Sequence, residues 1–65
     1  MVDFIKTNGD LFSVARNSDD AFYMWRTAKE LDHTVRINGV NYGNGWEARY
    51  EIEKLFNASY LLNVR

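Results

Sequence analysis

Three Asn-Gly dipeptides, at Asn8-Gly9, Asn38-Gly39 and Asn44-Gly45, divide this chain into short segments. Asn-Gly is the strongest short hairpin signal, because a type I′ turn needs positive φ at both central residues and this pair tolerates it. The second pair is the cleanest. A two-residue turn at Asn38-Gly39 sets Ile37 opposite Val40 and Val35 opposite Tyr42. Those four apolar side chains then share one face and Arg36 and Asn41 the other, the alternation of a half-buried ribbon. Strand formers on both sides of Asn8-Gly9 predict another hairpin, with two competing registers. A two-residue turn groups Ile5, Phe12 and Val14 but adds Asp3. A three-residue turn groups Val2, Phe4, Phe12 and Val14 but adds Lys6.

Between the hairpins, Ser18 followed by Asp19 and Asp20 reads as a helix start, a hydroxyl cap with carboxylates at the positive end of the dipole. Ala21, Met24, Trp25, Ala28 and Leu31 continue at helical spacing, which predicts a helix from about Asp19 to Asp32. After the second hairpin, Asn44 and Glu47 resemble a capping box. Ala48, Ile52, Leu55 and Phe56 then form an apolar stripe, and the spacing predicts a helix to about Asn57. Trp46, Ala48, Tyr50 and Ile52 also alternate as a strand would, but the strong helix formers from Glu47 to Leu55 favour the helix. Tyr60 to Val64 reads as a last short strand. The expected architecture is a single α+β domain over residues 1–65, in the order ββαββαβ, with both helices packed on one face of antiparallel hairpins.

A chain of 65 residues buries only about 60% of the surface its unfolded form exposes, so its stability margin is thin. There is no cysteine and only one histidine, His33. Disulfides and thiolate metal sites are therefore excluded, and no metal or cofactor is expected. Among the usual supports of small domains, that leaves oligomerisation, and a homodimer is expected. Apolar residues make up 46% of the chain and its net charge is −1, which excludes the disordered class. The same small charge argues against a non-specific nucleic-acid binder, which carries a clear basic excess. No apolar run is long enough to span a membrane and no signal-peptide pattern opens the chain, so a cytoplasmic protein is expected.

His33 beside Asp32 is the natural place to seek acid–base chemistry. Adjacent residues at a helix end seldom reach each other in the required geometry, and a cation is favoured at that end in any case. Gly39, Gly43 and Gly45 lack the Lys-Ser/Thr of a phosphate loop and read as turn residues. Glu47 and Glu51 share a solvated helix face with Lys54. Ser13, Ser18 and Ser59 lie in no nucleophile motif, and Asn57-Ala58-Ser59 matches a glycosylation acceptor without a secretion signal to give it meaning. An enzyme is not expected.

The outward helix faces say more. On the first helix Tyr23 falls well away from the apolar stripe, with Phe22 and Arg26 beside it. On the second, Trp46 and Tyr50 lie opposite the stripe as an i, i+4 pair. Trp, Tyr and Arg dominate binding hot spots, so Trp46, Tyr50, Tyr23, Phe22 and Arg26 are the expected partner-binding residues. The reading is a small protein-binding module. In size and composition the chain resembles the short accessory proteins of bacteriophages and mobile elements, which often inhibit a host enzyme or defence complex; the resemblance rests on no motif. The alternative is a nucleic-acid-binding domain that stacks bases on strand aromatics and touches phosphates with Arg16, Arg36 and Arg49.

Overall fold

The computed structural model describes residues 1–64, with side chains through residue 56. Four strands and two helices follow in the order β1 (Val2–Ile5), β2 (Leu11–Ala15), α1 (Ser18–Leu31), β3 (Thr34–Ile37), β4 (Val40–Asn41) and α2 (Trp46–Val64). The strands form one antiparallel sheet in the spatial order β2-β1-β3-β4. Each hairpin contributes two strands, and β1 joins them by pairing Phe4 with Val35 and Val2 with Ile37.

The second hairpin has the expected register next to its turn, with Ile37 opposite Val40 and Arg36 opposite Asn41. The expected Val35–Tyr42 pair is offset: Val35 O accepts from Tyr42 N at 2.8 Å while Val35 N donates to Gly43 O at 2.7 Å. Asn38 and Gly39 both have positive φ, 51° and 80°, as a type I′ turn requires. On the outer side of this ribbon Arg36 Nε donates to Asn41 Oδ1 at 2.8 Å. Val40 departs from the expectation: it is half-exposed at the tip of the ribbon. An open groove of about 410 Å³ separates that tip from α2, lined by Ile37, Val40, Tyr42 and Leu55 among others.

The first hairpin uses both candidate registers. Near its turn, Gly9 N donates to Lys6 O and Lys6 N to Asp10 O, so Thr7, Asn8 and Gly9 form a three-residue loop. Ile5 then pairs with Leu11. Past a bulge the register shifts by one, setting Phe4 opposite Ser13 and Val2 opposite Ala15. The extra residue lies in β2 and leaves the alternation of β1 unchanged, setting Ala15 and Ser13 opposite Val2 and Phe4 on the helix-covered face. Phe12 and Val14, which both expected registers group with the apolar strand face, therefore stay outside the core, Phe12 exposed and Val14 half-buried.

Both helices pack on one face of the sheet. The core joins Val2, Phe4, Ala15, Val35 and Ile37 from the strands to Ala21, Trp25 and Ala28 of α1 and Ala48 and Ile52 of α2. Met24, Leu55 and Phe56 are half-buried against it, whereas Leu31 is exposed. The N-cap of α1 is Asn17, one residue before the expected Ser18. Asn17 Oδ1 accepts from Asp20 N at 2.9 Å, and its amide donates back to the Asp20 carboxylate at 3.2 Å. A cap at Ser18 would have had Ala21 at the reciprocal position, with nothing to return.

Two further expectations are corrected at α2. Asn44 is not its cap, because the amide is drawn to oxygens at the end of α1, and the helix starts from Gly45, whose carbonyl accepts from Arg49 N at 3.2 Å. Among the described residues there is also no fifth strand: the order is ββαββα, and residues 60–64 continue α2. Strand formers at Tyr60, Leu61, Leu62 and Val64 suggested one, but nothing between Trp46 and Val64 is glycine or proline. Extending a formed helix adds a hydrogen bond per residue fixed, whereas starting a strand there would first have to break it.

Candidate functional site

The sequence-predicted binding residues lie on the outer side of the helical layer. Trp46, the first residue of α2, is 70% exposed, Tyr50 one turn later 59%, and Tyr23 on α1 72%. Arg26 is exposed and Phe22 is half-buried against the core.

The structure brings Phe22 and Trp46 together and adds residues that the spacing did not single out as binders. Trp25 is the base of the cluster. Only 8% exposed, it belongs to the core stripe of α1, and its indole N–H donates to Gly45 O at 3.2 Å, tying α1 to the residue just before Trp46. The Trp46 ring leans on Trp25 with centroids 5.8 Å apart and planes tilted by 50°, within the range of favourable aromatic pairs. Two cations complete the arrangement. Lys29 Nζ lies 5.0 Å from the Trp25 centroid and 5.8 Å from that of Trp46. The Arg49 guanidinium lies 5.3 Å from Phe22, 5.7 Å from Trp25 and 5.5 Å from Trp46, and pairs with Glu53 at 3.2 Å.

Contacts of this kind are each worth about 0.5–1 kcal/mol at exposed sites. Together they hold an exposed indole in one orientation, so less side-chain entropy remains to be lost when a partner covers it. Tyr50 extends the surface, with Lys54 Nζ 5.5 Å from its ring and Glu51 3.6 Å from that ammonium. Tyr23 and Arg26 are exposed on α1 and, among the described residues, make no ring–ring or cation–ring contact with the cluster. A local signal for the missed residues did exist. Trp25 and Lys29 are an i, i+4 pair, and Trp46 and Arg49 an i, i+3 pair, so each helix presents an indole with a cation on the same side.

The other candidates occupy structural positions. Asp32 Oδ1 accepts from Asn44 Nδ2 at 3.2 Å, and the same amide approaches His33 O at 2.9 Å and Ala28 O at 3.4 Å. Two N–H bonds are thus shared among three oxygens at the end of α1. His33 is buried, rests 4.6 Å from the Phe12 ring, and leaves Nδ1 without a hydrogen-bond partner among the described residues. Gly39 and Gly43 serve positive-φ positions and Gly45 the start of α2. Of the three arginines weighed as phosphate contacts, Arg49 is engaged on the helical side. Arg36 points away from the helices, since it alternates with the core residues Val35 and Ile37. Among the described residues, no group of three or more His, Cys, Asp or Glu could hold a metal ion, and no helix is long and apolar enough to cross a membrane. No family model, curated protein or solved structure matches the chain.

Proposed function

We propose that this protein is a non-catalytic binding module that docks onto another protein through Trp46, Tyr50 and the residues around them, in the manner of a small cytoplasmic inhibitor or adaptor. Blocking a host enzyme or defence complex, as short bacteriophage proteins do, is the form of this reading that suits the chain's size. The observation that carries it is Trp46, an indole 70% exposed yet oriented by a second indole and two cations. A large apolar side chain left in water contributes little to folding, whereas one already oriented suits the centre of an interface.

The test is the double change Trp46→Ala, Tyr50→Ala. The core of Ala48 and Ile52 under this turn is untouched, so circular dichroism should show a folded protein. Affinity capture from native cell extract should retain a partner with the wild-type chain and lose it with the variant, a loss of about 2 kcal/mol or more of binding free energy. Normal capture by the folded variant sinks the reading. Self-association belongs to the same proposal: a homodimer at micromolar concentration, which sedimentation at a single 7.6 kDa species would exclude.

A further inference from the structure

We propose that the face shared by α1 and α2 recognises an acidic segment of a partner protein, with Lys29 and Arg26 donating to carboxylates and Trp46 covered by an adjoining apolar side chain. This inference rests on the reading that Trp46 and Tyr50 form the binding face, and it names the chemistry of what they meet.

The two helices differ in how their cations are answered. On α2, Arg49 is paired with Glu53 and Lys54 with Glu51. On α1, neither Arg26 nor Lys29 makes a salt bridge or a side-chain hydrogen bond among the described residues. Lys29 is nevertheless placed, with its ammonium held over two indoles. A ring face attracts an ammonium without accepting its N–H groups in the way a carboxylate does. Those donors remain available to an incoming anion beside a large apolar surface. Two cations, Lys29 and Arg49, lie over the Trp25–Trp46 pair, and among the described residues only Arg49 is paired with a carboxylate, Glu53, in a chain that is net negative. This local reversal of sign is the charge complement of an acidic peptide.

A carboxylate-bearing protein fits better than a nucleic acid. Affinity for nucleic acid comes from many phosphates neutralised along a track, and Arg36, which could extend one, points away from the helices and is bound to Asn41.

The probe is a fluorescein-labelled peptide of repeated Glu-Glu-Leu, followed by anisotropy, with repeated Lys-Lys-Leu as the reversed control and a short oligothymidine as competitor. The wild-type chain should bind the acidic peptide, less tightly as salt rises, and should ignore the basic one. Arg26→Glu with Lys29→Glu should weaken binding about tenfold or more, and the milder Lys29→Gln should weaken it in the same direction. Lys6→Glu, an equal charge change on the first hairpin, should leave binding within about twofold. The inference is overturned if the acidic peptide does not bind, if folded Lys29 variants bind it as the wild type does, or if oligothymidine displaces it at equal concentration. Trp46→Ala with Tyr50→Ala separates this from the parent reading. Loss of partner capture by that variant, with no binding of the acidic peptide to the wild type, keeps the face and overturns its acidic ligand. Peptide binding that depends on Lys29 but survives the aromatic changes keeps the acidic ligand and overturns the aromatic face.

Discussion

The two hairpins carry the same Asn-Gly pair and use it differently. At Asn38-Gly39 both residues take positive φ, the loop is two residues long, and the ribbon runs without a shift as far as its last ladder pair. At Asn8-Gly9 only Gly9 does, at 93°, and Asn8 works through its side chain, Oδ1 accepting from Asp10 N at 3.0 Å. The loop has three residues and the strand beyond it is bulged. The difference lies in the flanks. Around residues 38–39 the apolar residues alternate in step with the tightest turn. Around 8–9 the three-residue loop starts the ladder one register away from the pairing of Val2 with Ala15 that fills the core, and a bulge in β2 makes up the difference. A turn dipeptide specifies that the chain reverses; the register follows from which side chains can be buried.

Because β1 belongs to both ribbons, the strongest test removes what they share. Phe4 is fully buried and pairs with Ser13 on one side and Val35 on the other. Phe4→Ala should cost about 3–5 kcal/mol, which in so small a domain amounts to unfolding. Both ribbons should be lost together by amide exchange; one surviving without the other would show that they fold as separate units.

At the turns, neither Gly9 nor Gly39 has an atom from beyond its immediate chain neighbours within 4 Å of where a Cβ would stand. Substitution there therefore tests backbone conformation with no steric clash to confuse it. Gly39→Val and Gly9→Val should each lower stability by about 1–3 kcal/mol in chemical denaturation, because both hold positive φ. Synthetic D-alanine at either position, which prefers that region, should restore stability to the wild-type level or above. An unchanged melting temperature in Gly39→Val would contradict the type I′ turn.

The smallest effect should distinguish the asparagines. Asn8→Ala removes the bond to Asp10 N and should cost about 0.5–1.5 kcal/mol. Asn8→Gly should recover little of it, since Asn8 does not use positive φ. At Asn38, with φ of 51°, Gly should be tolerated better than Ala. Equal responses at the two sites would erase the distinction between the turns.

Part of this fold is settled among residues that neighbour one another in the chain. The Asn38-Gly39 ribbon, the body of α1 and the outward placement of Trp46, Tyr50 and Tyr23 follow from turn geometry and helical period, which act over a few residues. The tertiary structure decided what depends on residues distant in the chain. Residues 60–64 carry strand formers, so helix and strand preferences compete there locally, and continuity with α2 makes them helix. Asn44 looks like a cap until the end of α1 supplies three oxygens for its amide. Trp25, indistinguishable in its stripe from any core residue, became the support of Trp46 only when Gly45 arrived to accept its N–H. Local periodicity says which way a side chain faces, but only the packing of α1 against α2 says which indole and which cations it meets there.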